Sequence, residues 1–267
     1  MNIHFFNGWG VSEGFEYQII QALQGLIIGY SNNDKTNLNI GIGWSLGSFQ
    51  CLQYHEHNPF DALILLSFTP CFVQKNQLID NNNSSTYSLS WGMSFDEFSF
   101  FEQLFDENPE KCLQHFQRLV LFPKMKAQKI DDKNNKNGNH NSFLHELSLS
   151  FINQFDSSSI TKLKKGLETL KNWNMSFEQL QEIQSKVPLL WIHGEYDQLM
   201  KMPVKQIQKL NHTNQSIHYK EISSLNNDLK ILNTLNIKII AKTGHHLLEN
   251  PQTWQEICGF IKKIDQQ

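Results

Sequence analysis

Leu38-Asn39-Ile40-Gly41-Ile42-Gly43-Trp44-Ser45-Leu46-Gly47 is the stretch from which the rest of the chain can be read. Residues 38–43 predict an apolar strand, and a helix is predicted to follow through Tyr54. Between them, Gly43-Trp44-Ser45-Leu46-Gly47 fits the pattern G-x-S-x-G. Where a strand turns sharply into a helix, flanking glycines let neighbouring backbone close in, and the central serine is held on a strained turn with its hydroxyl above the sheet. The N-terminus of the following helix favours negative charge nearby. A glycine-flanked serine is common by chance, and an ordinary turn serine is the plain alternative. The strand before Ser45 and the helix after it give this one its weight.

Outward from that turn, residues 3–6 predict a strand that ends in Asn7-Gly8-Trp9-Gly10. Residues 15–26 have helical spacing, with Ile19, Ile20, Leu23 and Leu26 on one face. Residues 26–30 predict a second strand. Residues 62–67 are an uninterrupted apolar run between Asp61 and Pro70, the pattern of a strand covered on both faces. Beyond Pro70, helices are predicted over residues 96–105, 109–122 and 159–170, and the Asn-rich segments 80–86 and 131–141 read as exposed loops. From Val187 the alternation returns: a strand over 187–192, a helix over 203–210, a strand over 237–241 and an amphipathic helix over 254–264. This rhythm predicts an α/β protein, with a mainly parallel sheet flanked by helices. The core is residues 1–70 and 181–267, and residues 71–180 form an inserted helical cap.

Three further segments supply partners for the serine. His193-Gly194-Glu195-Tyr196-Asp197 follows the strand at 187–192, where an acid can orient and charge-stabilise a histidine. Asp197 is the predicted acid, with Glu195 as its rival and His193 read as structural. Gly244-His245-His246 follows the strand at 237–241 and offers two adjacent candidates for the general base. His245 is preferred by analogy with the Gly-His step, with His246 kept open. The order Ser45, Asp197, His245 is that of the α/β-hydrolase fold. Acyl transfer also needs an oxyanion hole. The Leu46 amide, directly after the nucleophile, is one expected donor, and the Trp9 amide in the turn after the first strand is the other. A tryptophan packing a tight turn is the plain reading of Trp9.

Composition narrows the classes of function. With 267 residues and 39% apolar content, one sizeable core is expected. A net charge of −3 argues against a whole-protein grip on nucleic acid or anionic lipid. Cys51, Cys71, Cys112 and Cys258 are scattered, without a C-x-x-C pair or metal-ligand spacing, so no metal or cofactor is expected. The first ten residues lack a basic segment followed by an apolar one, and the longest apolar runs are too short to span a bilayer. A cytoplasmic monomer with reduced thiols is the expectation.

With these residues in place, the sequence resembles the BioH-type carboxylesterases, which hydrolyse the methyl ester of pimeloyl-acyl-carrier protein in biotin synthesis. Asn7-Gly8-Trp9-Gly10 is similar to the family's His-Gly-Trp-Gly, and Gly43-Trp44-Ser45-Leu46-Gly47 to its nucleophile segment. Thr69-Pro70-Cys71-Phe72 resembles a Ser-Pro-Cys-Phe stretch, Phe116-Gln117-Arg118-Leu119 a Phe-x-x-Leu cap helix, and Gly166-Leu167-Glu168-Thr169-Leu170 a Gly-Leu-Glu-x-Leu helix. The stretch between Trp9 and Ser45 is shorter than in that family, so the N-terminal part is shortened.

The resemblance implies ester hydrolysis through an acyl-enzyme on Ser45, with Phe116 as a substrate-binding residue. It further implies an acyl-carrier protein as partner, met by a basic rim of Lys111, Lys124, Lys126 and Lys129. Trp91, Phe95, Phe101, Phe116 and Phe122 are candidate walls of an apolar acyl site, with packing of the cap as the alternative. A broader carboxylesterase or thioesterase with the same triad, and a non-catalytic binding relative, are the competing functions.

Overall fold

The computed structural model describes residues 1–28, 37–74, 91–122, 151–153, 155–202, 231–232 and 234–266. Among the described residues, five strands form one parallel sheet in chain order: β1 (Asn2–Phe6), β2 (Asn39–Trp44), β3 (Ala62–Leu66), β4 (Leu189–Gly194) and β5 (Ile237–Ile240). β3 and β4 are buried at every position. That explains the unbroken apolar sequence of β3 and of the first four residues of β4, because a strand covered on both faces has no polar side. β1 lies at an edge and alternates, with Asn2 and His4 exposed and Ile3 and Phe5 buried.

The helices are α1 (Phe15–Ile28), α2 (Leu46–His57), α3 (Phe95–Glu107), α4 (Pro109–Val120), α5 (Ser157–Asn172), α6 (Phe177–Lys186) and α7 (Pro251–Asp265). The side chains of β2 sort them onto faces. Trp44 meets the Phe15 ring of α1 at 6.2 Å. Register places Lys238 of β5 on the same face as Trp44, and Lys238 pairs with Glu256 of α7 at 3.6 Å. α1 also contacts α7, so both lie on the Trp44 face. Gly41 and Gly43 point the other way, where a Cβ would meet Cys51 and Ser48 of α2.

α1 and α2 thus cover opposite faces while the sheet grows in one direction. The crossovers β1–α1–β2 and β2–α2–β3 therefore have opposite hands, although parallel crossovers are right-handed in about 98% of cases.

The second strand expected over residues 26–30 does not begin at residue 26, and residues 29 and 30 lie outside the described residues. Residues 26–28 continue α1, because Ile19, Leu23 and Ile27 keep the helical stripe buried. Helix α6 was not anticipated. Its start carries a capping box, in which Ser176 accepts from the Gln179 amide and the Gln179 side chain reaches back. β4 begins at Leu189, two residues later than expected, because Val187 caps the end of α6. The predicted loops 80–86 and 131–141 and the predicted helix 203–210 lie outside the described residues. No helix among the described residues is long and apolar enough to cross a membrane.

Helices α3, α4 and α5 lie between β3 and β4 in the chain, and among the described residues three isolated β-bridges tie the flanking chain together: Val11 to Phe151, Cys71 to Asn174 and Val73 to Met93. Beneath them the two glycines of the serine turn are sterically required. A Cβ on Gly43 would stand 2.4 Å from the Ser48 Cα, and one on Gly47 1.9 Å from the Phe6 carbonyl oxygen. Both obstacles are backbone, which no rotamer change can relieve. Gly47→Ala is expected to cost about 3 kcal/mol through overpacking, read as a lowered urea midpoint. A variant as stable as the parent would show that α2 does not press on β1 in this way.

Candidate active site

The end of β2 holds Ser45 at φ 57 and ψ −122, a left-handed conformation that side chains rarely adopt. It persists because its surroundings leave no choice. The Ser45 amide donates to the Leu66 carbonyl at 2.8 Å, and the Ser48 amide to the Ser45 carbonyl at 2.9 Å. The Ser48 hydroxyl donates to the Gly43 carbonyl at 2.9 Å. The Ser45 side chain makes no capping bond to α2, which leaves its hydroxyl uncommitted to the helix. The Leu46 amide opens α2, where no carbonyl one turn back exists to receive it.

The Asn7–Gly10 turn lies directly against this elbow. A Cβ on Gly8 would be 3.4 Å from the Ser45 Cβ. Trp9 then uses its two ends differently. Its indole Nε1–H donates to the Leu163 carbonyl of α5 at 2.8 Å, and its ring meets Phe116 of α4 edge-on at 4.8 Å. Gly166 admits the ring, since a Cβ there would be 2.5 Å from the Trp9 Cδ1. Side chain and amide are separate groups, so the indole's bond to Leu163 does not occupy the Trp9 amide.

At the ends of β4 and β5, His245 Nδ1 stands 2.8 Å from Asp197 Oδ2. Asp197 Oδ1 accepts the Leu199 and Met200 amides at 2.9 and 2.8 Å. Burial by itself would raise the Asp197 carboxyl. The His245 imidazole and its hydrogen bond, with help from His193 and the Met200 amide, outweigh that and hold it down at about 2. Asp197 is therefore an anion and His245 Nδ1 its donor, so Nε2 is the nitrogen free to accept a proton. That Nε2 is buried without a hydrogen-bond partner among the described residues.

The alternatives are occupied elsewhere. Glu195 accepts the Lys242 amide at 2.9 Å, and His246 Nδ1 faces Glu249 at 3.2 Å. His193 is fully buried, with its Nε2 3.9 Å from Asp197 Oδ2, and burial lowers its affinity for a proton. It adds bulk against the acid without taking its proton-accepting oxygen. His245→Ala should therefore abolish turnover, whereas His246→Ala should retain a measurable rate on a p-nitrophenyl ester. The reverse result would move the base by one residue.

Of the five expected wall residues, Trp91, Phe101 and Phe116 are buried. Phe95 is 51% exposed and Phe122 42% exposed, so neither lines an interior site. Phe95 opens α3, directly after its Ser94 cap, and Phe122 falls just past the end of α4, so neither lies on a buried stripe. Trp91 packs on Phe177 and Trp191 instead. Phe101 and Phe116 do share an apolar cavity with Trp9, Phe72 and Leu167, but its volume is only 10 Å³. Among the described residues, these side chains pack on one another and leave little space between them. The open cleft is elsewhere: 670 Å³ bounded by Gly8, Trp9, Leu46, Gln50, Asn153 and Lys162. Lys111 is exposed on α4. Lys124, Lys126 and Lys129 lie outside the described residues.

No protein-family model matches this chain, and no curated protein is significantly similar in sequence. Solved structures are similar in shape. The hydrolase olei00960 from Oleispira antarctica is 13% identical, with a TM-score of 0.54 over 98% of this chain and 90% of that one. MGS-M2, an alpha/beta hydrolase from a Medee basin deep-sea metagenome, is 13% identical with a TM-score of 0.47 over 95% of this chain and 73% of its own. A structure described with the carboxylesterases of Nitrososphaera gargenis is 14% identical with a TM-score of 0.45, covering 94% and 72%. The parallel sheet, the serine turn between β2 and α2, and the likeness to the Oleispira hydrolase define the α/β-hydrolase fold.

Proposed function

We propose that this chain is a carboxylic ester hydrolase acting through an acyl-enzyme on Ser45. The observation that carries this reading is the 2.8 Å pairing of His245 Nδ1 with Asp197, in a fold that also holds a serine at φ 57 on a strand-to-helix turn. In the mechanism, His245 Nε2 takes the Ser45 Oγ proton as Oγ attacks the ester carbonyl carbon. The Leu46 and Trp9 amides receive the resulting oxyanion. Collapse of the tetrahedral intermediate breaks the carbonyl–alkoxy bond, and His245 returns the proton to the departing alcohol. Water then gives a proton to His245 and its oxygen to the acyl carbon, releasing the acid and restoring Ser45. A fluorophosphonate probe that labels the wild-type chain, together with turnover of a p-nitrophenyl ester, tests the reading. A folded protein that neither reacts with the probe nor hydrolyses the ester would end it.

For the physiological substrate we propose the methyl ester of pimeloyl-acyl-carrier protein. What supports it is the resemblance at the oxyanion turn, the elbow and the cap helices, where Trp9 meets both Phe116 and Gly166. The acyl chain would displace Phe116 to enter, because the apolar space beside it is 10 Å³. Lys111, Lys124 and Lys126 would face the acidic carrier. Restoration of biotin-free growth to a bacterium lacking its own pimeloyl-carrier methyl esterase is the expected result. Failure to complement, with an active serine, would leave a broader esterase as the reading. The 670 Å³ cleft at Trp9 and Leu46 suits that alternative.

A further inference from the structure

His245 follows β5 on a short segment with little regular structure of its own, yet its imidazole must meet both Asp197 and Ser45. Two side chains from distant parts of the chain converge on its backbone carbonyl. The Trp44 indole Nε1–H donates to the His245 oxygen at 3.1 Å, and the Ser67 hydroxyl donates to it at 2.8 Å. The Leu247 amide, two residues on, also approaches that oxygen at 3.1 Å. Trp44 and Ser67 are both buried, at 1% and 0% exposure, so water competes for neither bond.

A buried indole and a buried hydroxyl must donate somewhere, and that alone would be ordinary core packing. Their placement says more. Trp44 is covalently joined to Ser45. Ser67 directly follows Leu66, whose carbonyl holds the Ser45 amide at 2.8 Å. The backbone that fixes the nucleophile therefore also grips the backbone of the base. Ser67 has φ 47, in the left-handed region where glycine is the favoured residue. Its own amide donates to the Ile192 carbonyl of β4 at 2.9 Å, which locks the residue between β3 and the strand leading to Asp197. A serine there has a conformational cost that glycine would avoid, and the one polar atom of its hydroxymethyl group makes this bond.

We infer that Trp44 and Ser67 are positioning residues, which set the His245 imidazole relative to Ser45 and Asp197 by holding the His245 carbonyl. The inference rests on the hydrolase reading for its kinetic consequences but not for its geometry. Misplacing a catalytic group by about 1 Å can cost on the order of 100-fold in rate. Losing one of two donors should cost less.

Ser67→Gly removes the hydroxyl and suits the backbone at φ 47, and Trp44→Phe removes the N–H and keeps a ring. Each is expected to lower kcat on p-nitrophenyl acetate about tenfold with KM unchanged, and the pair to approach the ~100-fold figure. Rates are expressed per active site titrated with a fluorophosphonate, so that unfolded molecules do not count. The second readout is the low-field proton resonance of His245 Nδ1–H, which should shift or broaden in both variants. A kcat within about twofold of wild type and an unmoved resonance in both variants would overturn the inference. Lower activity explained entirely by fewer titratable sites, with the resonance unmoved, would overturn it as well. Should the wild-type serine ignore the probe, the hydrolase reading fails by itself. The resonance alone then decides: movement in both variants supports the grip on His245, and an unchanged signal refutes it.

Discussion

Ser45→Ala is expected to lower turnover of a short p-nitrophenyl ester by about six orders of magnitude, the scale found when the nucleophile of a complete triad is removed. The rate should fall to what the oxyanion donors and binding supply, and fluorophosphonate labelling should disappear. Folding should survive. The Ser45 hydroxyl caps nothing in α2, and the bonds that hold the turn run through its amide and carbonyl, which alanine keeps. Alanine also shares the conformational cost of φ 57, so the strained turn is neither relieved nor worsened. Wild-type turnover in this variant, with the protein folded by circular dichroism, would remove Ser45 from the mechanism.

Asp197→Asn should lower kcat by about 10⁴-fold. A carboxylate accepts the proton on His245 Nδ1 and leaves Nε2 a base. A carboxamide can present its N–H to Nδ1 and so favour the tautomer that carries the proton on Nε2, which cannot take one from Ser45. Glu195→Gln should leave the rate near wild type, because that side chain accepts the Lys242 amide and does not reach the imidazole. If the two results were exchanged, Glu195 would be the acid.

The same carboxylate makes stability depend on pH. Its proton affinity in the folded chain, at about 2, lies below its ordinary value, so the folded state binds fewer protons than the unfolded one in that window. The stabilisation is fully present above about pH 4 and is lost as pH falls towards 2. Urea midpoints of the wild type should drop across that window more steeply than those of Asp197→Asn.

Much of this arrangement was legible in the residues, for identifiable reasons. Strand β3 and the first four residues of β4 are apolar because both faces are covered, and the turn signals that bound those runs mark them as strands. The elbow was visible because its steric demand falls on two glycines, and steric demands leave a trace in residue type. Helix α6 also left a trace, the Ser176-x-x-Gln179 capping box, which went unread beside its weakly apolar stripe. Residues 26–30 misled because a short apolar run fits a strand as well as the last turn of a helix, and only burial of Ile27 alongside Leu23 distinguishes them.

Other features had no local signature. Phe95 and Phe122 are as apolar as Phe101 and Phe116, yet the first two face solvent. Which phenylalanines face inward depends on where each helix begins, ends and rests. Residue types placed Ser45 on its turn and put an acid and a histidine after the last two strands, since those demands are local in chemistry and sterics. Only the tertiary structure shows His245 against Asp197 while His246 faces Glu249 and Glu195 accepts the Lys242 amide. It also brought the Trp44 indole and the Ser67 hydroxyl onto a carbonyl far along the chain. Neighbours in sequence share composition and context, and a hydrogen bond depends on distances of a few tenths of an ångström. The register of β4 and β5 sets those distances, and no single segment encodes it.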